Sequence, residues 1–83
     1  MSKKAYILID AEIGQAEAVA LALDGKPGIL AADVILGTHD VIAVVEGANA
    51  DAVAKTVLSQ ITSVEGIVRT ATCLVVSGDS AKA

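Results

Sequence analysis

Val41-Ile42-Ala43-Val44-Val45 is apolar at every position, and this run constrains the chain more than any other feature. A strand sends alternate side chains to opposite faces, so an unbroken apolar run belongs to a strand covered on both. Most of Ile29 to Leu36 has the same character. Only 83 residues are available, 54% of them hydrophobic, with Tyr6 the one aromatic. The core must therefore be built from Val, Ile, Leu and Ala. A domain this small removes only about 60% of its unfolded surface from water, so the chain carries more apolar surface than one small core can hide.

The order of elements around that run sets the fold class. Ala5 to Ala11 is rich in β-formers and ends near Gly14, a first strand. From Gln15 to about Leu23, Ala16, Val19, Ala20 and Leu23 recur at i, i+3, i+4 and i+7, one face of a helix. Gly25 and Pro27-Gly28 stop it. Ile29 to Leu36 and Val41 to Glu46 read as two strands joined by the turn Gly37-Thr38-His39-Asp40, a hairpin. A second helix begins near the cap residue Asn49, with Ala50, Val53, Ala54, Val57, Leu58 and Ile61 as its apolar stripe. Ile67 to Val76 is a fourth strand, and Ser77 to Ala83 a small polar tail expected to be flexible.

The result is one domain over residues 1–76, α+β, with βαββαβ order and a four-stranded antiparallel sheet of ferredoxin-like type. Helix, short loop, Gly28-Ile29 and strand in one half recur as helix, short loop, Gly66-Ile67 and strand in the other. Two helices cover only one side of such a sheet, so the apolar runs call for a second copy over the other side. The expected assembly is a two-fold homodimer of the dimeric α/β-barrel type.

Charge and cysteine content narrow the function. Six Lys and Arg against ten Asp and Glu leave a net charge of −4, and the basic residues are scattered, so direct nucleic-acid binding is not expected. No window supplies the roughly 18 apolar residues of a membrane span, and Met1-Ser2-Lys3-Lys4 leads into a strand rather than a signal peptide. Cys73 is the one cysteine, which excludes an internal disulfide and fits a reducing, cytoplasmic setting. It has no local cation to make it a thiolate and reads as a buried structural residue. Asp10 and Glu12 alternate at a solvated strand end with no nucleophile nearby.

Several short motifs together resemble the effector-binding (RAM) domain of the Lrp/AsnC, or feast/famine, regulators. They are Pro27-Gly28-Ile29, the turn Gly37-Thr38-His39-Asp40-Val41-Ile42, Ser59-Gln60-Ile61 on the second helix, and Glu65-Gly66-Ile67-Val68-Arg69-Thr70-Ala71-Thr72. The resemblance runs from about Ala5 to Val76, and its specific marks are Gly-x-x-Asp at the turn, Pro-Gly before the second strand and Thr-x-Thr in the last. It implies a ferredoxin-like fold, dimers made through the sheets, dimers arranged in rings, and an amino acid or similar small effector bound where dimers meet. That family usually carries a helix-turn-helix domain ahead of this one, so the chain resembles a stand-alone form, able to co-assemble with full-length regulators.

On this resemblance the effector site is expected at Gly37, Thr38, His39 and Asp40, with Thr70 and Thr72 as secondary residues. Gly37 lets backbone approach a ligand, free turn amides receive a carboxylate, and Asp40 accepts an ammonium. Thr70 and Thr72 share one strand face and offer hydroxyls that donate and accept. Each also has a plain structural reading, as turn residues and β-branched strand residues. His39 departs from the family, which commonly has an aromatic residue, often Tyr, before the Asp. An imidazole there would make a site responsive near pH 6.5, but an exposed turn histidine without a role is the simpler reading. One His beside one Asp is too few ligands for a metal, and no cofactor is expected.

Catalysis is not expected, but two other readings stay open. One is a small dimeric α+β-barrel enzyme, monooxygenase- or isomerase-like, with His39 and Tyr6 as its acid–base groups. The other is an ACT-type regulatory domain, whose Pro-Gly-x-Leu motif Pro27-Gly28-Ile29-Leu30 imitates, although here the motif follows the first helix rather than preceding it.

Overall fold

The core is laid down by two central strands. In β1 (Lys3–Ala11), Ala5, Ile7 and Ile9 are fully buried while Lys4, Tyr6, Leu8 and Asp10 point to the opposite face. β3 (Val41–Gly47) runs antiparallel beside it and sets Val45, Ala43 and Val41, all buried, across from those three residues. The structure, a computed structural model, describes residues 2–77; the rest of the expected C-terminal tail, 78–83, lies outside the described residues.

Two helices roof this floor. α1 (Ala16–Leu23) buries Val19, Ala20 and Leu23, the face its sequence periodicity predicts. α2 (Ala50–Thr56) starts at Asn49, whose side chain accepts from the Ala52 amide at 2.8 Å and satisfies one of the free donors of the first turn. It continues into a π-helical turn, Val57–Ile61. The buried residues of this segment are Val53, Val57 and Ile61, whereas Ala50, Ala54 and Leu58 of the expected stripe are exposed. The wider π turn explains the difference. Spacing by four overshoots an α-helical turn by about 40°, and i→i+5 winding turns the second step back, so 53, 57 and 61 fall on one contact line. Ser59, Thr62 and Ser63 donate to the carbonyls of Lys55, Leu58 and Ser59, four residues back, a pattern associated with helix bending.

The outer strands complete the sheet in the order β2-β3-β1-β4, with β2 (Ile29–Val34) on β3 and β4 (Ile67–Leu74) on β1, all antiparallel. Element order and topology are those of a ferredoxin-like α+β fold. The expected turn between β2 and β3 is longer than a four-residue hairpin: β2 stops at Val34, and the Ile35 amide bonds the Asp40 carbonyl at 2.9 Å to close the loop, with Leu36 fully exposed. β2 is also an edge strand, exposed along much of its length rather than buried on both faces. The last strand ends at Leu74, short of Val76, with one more ladder-like bond from the Val75 amide to the Lys4 carbonyl. Cys73 pairs with Tyr6 on the face away from the helices and is exposed, not buried, because no helix among the described residues covers that side. No helix among the described residues is long and apolar enough to cross a membrane.

The repeated Gly-Ile has a structural counterpart. Gly28 and Gly66 both take positive φ, +82° and +97°, immediately before β2 and β4. A Cβ on Gly28 would lie 2.9 Å from Thr56 Oγ1 at the end of α2, and one on Gly66 would lie 3.2 Å from Val19 Cγ2 of α1. Each half thus starts its closing strand with a glycine pressed against the other half's helix. Gly28→Ala and Gly66→Ala should each cost more than about 1 kcal/mol, because left-handed geometry is strained for alanine and the neighbour must also move. Gly37→Ala, where φ is not positive and an added Cβ meets none of the described residues within 4 Å, should stay within about 0.5 kcal/mol. Urea midpoints at unchanged m-value test the contrast.

Candidate functional site

The β2–β3 loop, residues 35–40, lies against the C-terminal end of β1, and Asp40 ties it there. The Asp40 amide donates to the Ile9 carbonyl at 3.0 Å, and its Oδ2 accepts from the Ala11 amide at 2.9 Å. This second bond sits where the β1–β4 register shifts between Asp10 and Ala11, so the carboxylate serves an amide that the irregularity displaces from the regular ladder. Asp40 Oδ1 has no hydrogen-bond partner among the described residues, and neither do the amides of Gly37, Thr38 and His39. A row of free amides beside a carboxylate oxygen is complementary to a molecule carrying both a carboxylate and an ammonium group.

His39 is neither exposed nor idle. Its Nδ1 lies 2.8 Å from Asp10 Oδ1, with the imidazole 30% exposed. Arg69 of β4 donates from Nε and Nη2 to Asp10 Oδ2 at 3.1 and 3.0 Å. An ionised carboxylate only accepts, so His39 Nδ1 carries the hydrogen, leaving Nε2 as the acceptor of the neutral ring. Both partners hold the Asp10 carboxyl below its ordinary range, the His39 hydrogen bond first and Arg69 second. Asp10 is therefore not the solvated strand end that the sequence suggested: it fastens the loop to β1 and β4 on the face away from the helices. Glu12, its supposed companion, is exposed beyond the strand. A carboxylate following Tyr6 and Leu8 on one strand face was the available signal; the partners, far away in sequence, were not.

Thr70 and Thr72 pair with Ile9 and Ile7 and so share one face of β4, the helix side. Thr70 is half-buried and Thr72 exposed, since the helices pack over β1, β2 and β3 and leave β4 at the edge. The structure brings Gly37 to Asp40 together with Asp10 and Arg69 at one end of the sheet. Thr70 lies at the same end across β1, and Thr72 one pair further along. Tyr6 does not join His39: it shares a face with Asp10 but lies four residues away along β1, about 13 Å. No group of three or more His, Cys, Asp or Glu suited to a metal occurs among the described residues.

Comparison with known proteins matches a family model described as the Lrp/AsnC ligand binding domain to residues 4–78. No curated protein matches the chain by sequence. Among solved structures, a protein of Thermus thermophilus is similar at 25% identity and TM-score 0.84, over 92% of this chain and 95% of that one. AsnC of E. coli superposes with TM-score 0.83 at 17% identity, and a Neisseria meningitidis transcriptional regulator solved as an L-Met complex with TM-score 0.77 at 18%. These cover 92% and 90% of this chain but only 52% and 50% of theirs; at such identities the likeness is one of fold.

The Asp10 linkage gives a pH prediction. A carboxyl whose folded pKa is depressed adds stability above its unfolded value, near 3.8, and loses it as pH falls from there through the lower folded value. Asp10→Asn should remove that part of the acid dependence, flattening stability against pH below about pH 4. Urea midpoints of the two proteins between pH 3 and 6 measure it; parallel acid limbs would show that the His39 and Arg69 contacts add nothing.

Proposed function

The chain belongs to the Lrp/AsnC ligand-binding domain family, and from that premise we propose that it is an amino-acid-sensing domain that works as a cytoplasmic homo-oligomer rather than as an enzyme. The observation that carries this reading is the set of unclaimed groups at the loop: the amides of Gly37, Thr38 and His39 and one oxygen of Asp40. An amino acid's carboxylate fits the amides, and its ammonium fits Asp40. The open space over Gly37 gives room for it, and nothing else among the described residues asks for a glycine there. The L-Met complex of the Neisseria meningitidis regulator makes amino acids the first class to try. Thr70 is a secondary contact across β1, and Thr72 lines the same strand face.

The sheet face away from the helices supports the oligomer. Tyr6, Leu8, Ile42 and Val44 sit side by side there, flanked by Ala71 and Cys73, with no helix over them among the described residues. A second copy laid on this face removes the apolar surface from water and forms an interface like a core cut in half. The effector loop lies at the rim of that face, so ligand binding and assembly, as dimers or rings, are coupled through the Asp10 contacts. Such coupling would let the domain act on transcription or metabolism through a docked partner, including a full-length regulator of the same family.

A thermal-shift and calorimetric screen against amino acids tests the site. A binding amino acid should raise the unfolding temperature progressively with concentration, since it stabilises only the folded state. Asp40→Asn keeps an acceptor for the Ala11 amide but removes the charge. Loss of a charge-assisted bond of about 1.5–3 kcal/mol should weaken binding about 10- to 100-fold; unchanged affinity would remove Asp40 from the site. For the interface, Ile42→Lys should lower the molar mass seen by light scattering to that of the monomer. A mass unaffected by this charge would place the contact elsewhere.

A further inference from the structure

His39 is the chain's one histidine, and histidine is the side chain that changes charge between pH 5 and 8. Its place in the fold gives that change something to act on. The ring stands on the β2–β3 loop with Nδ1 2.8 Å from Asp10 Oδ1 of β1, and Arg69 of β4 holds the other oxygen of the same carboxylate. The imidazole is 30% and the Asp10 side chain 20% exposed, so their contact is screened less than that of the Arg69 side chain, which is 78% exposed. Nε2 has no hydrogen-bond partner among the described residues. A proton added there breaks no bond.

The charges around the ring set the direction. Asp10 touches it, and Asp40 is the next residue, its carboxylate on the Ala11 amide. Asp33 pairs with Ile42 on the same sheet face one strand further out, and Glu12 and Glu65 flank the junction where the Glu12 amide meets the Gly66 carbonyl. Against them stands Arg69 on Asp10, while Lys3 and Lys4 begin β1 at its far end. Two near carboxylates against one largely exposed guanidinium leave a net attraction for positive charge. The neutral ring already donates to a carboxylate, and a second proton adds the Coulomb attraction of an ion pair. Asp10 stays ionised throughout, since both partners hold its carboxyl below the ordinary range. We propose that His39 is a proton-operated latch: charged, it pins residues 35–40 to β1 and β4, and neutral, it lets the loop open more readily. The latch does not require that the loop bind an effector; where it does, pH sets how firmly the amides of Gly37 to His39 are presented.

Opening of the loop frees the amides of Ile35, Asp40 and Ala11, which bond the Asp40 carbonyl, the Ile9 carbonyl and Asp40 Oδ2. Their hydrogen-exchange protection, read by NMR on the full chain between pH 5.0 and 7.5 and corrected for the intrinsic pH dependence of exchange, tests the latch. It should be lower than that of amides in the middle of β1 and β3, because the loop opens by itself. It should also be about two- to fivefold higher at pH 5.0 than at pH 7.5, the range of an ion pair partly open to water, changing over the interval in which the His39 ring protons shift. His39→Asn, which offers a donor near the Nδ1 position without a charge, should abolish that ratio, as should Asp10→Asn; circular dichroism confirms that both variants are folded. Equal protection at the two pH values, a ratio that survives in His39→Asn, or loop amides as protected as the central ones overturns the proposal. No amino acid enters these readings, so failure of the latch and failure of the sensor are told apart.

Discussion

Packing of α1 and α2 onto one face of β1 and β3 is the constraint from which the rest follows. Ala5, Ile7 and Ile9 opposite Val45, Ala43 and Val41 form a floor of small and branched side chains with no ring to fill space. Helices can sit close on such a floor, and in close-packed interiors the line of contact is set to within a fraction of a turn. The π turn after α2 is one consequence, because it keeps Val53, Val57 and Ile61 over the sheet where continued α winding would carry them round. The other is what remains uncovered: Val41 to Val45 of β3 is apolar on both faces, β1 adds Tyr6 and Leu8 outward between Lys4 and Asp10, and the two helices serve only one face, so this leftover apolar surface points away from them.

The two halves of the chain meet this constraint in the same way. Gly28 and Gly66 each turn the backbone into a closing strand through a conformation that other residues rarely adopt, and each lies against the helix of the opposite half. Helix and strand are therefore interlocked across the pseudo-repeat as well as within it. Neither βαβ half buries its own turn, so the halves depend on each other for packing as well as for sheet pairing.

The elements whose environment is local could be read from sequence. The α1 face, the Asn49 cap, the succession of helices and strands along the chain and the positive-φ glycine turns all depend on neighbours within a few residues. The Lrp/AsnC resemblance rested on those same short motifs, and the family match extends over nearly the same span. What could not be read depends on partners distant in the chain. Asp10 is separated from Arg69 by 59 residues and from His39 by 29, and nothing in its own strand indicates that it binds both. Cys73 carried the composition of a core residue, but its exposure follows from which strand lies at the edge. Ala54 and Leu58 fit an α-helical stripe and miss the core because the winding changes.

In the proposed sensor Asp40 joins the fold to the site, and the division of labour between its two oxygens would set what the loop could hold. Oδ2 is committed to the Ala11 amide at a place where the ladder is irregular, so the carboxylate is held in position before any ligand arrives. A preorganised charge loses little side-chain freedom on binding. The same bond fastens the loop to the end of β1, next to the residue that His39 and Arg69 grip. On that reading a ligand drawn to Oδ1 would pull on a loop secured through β1 to β4, beside the apolar sheet face that the helices leave open. Rigid connection between those two places is the physical requirement for a small molecule to bias how copies of the chain assemble.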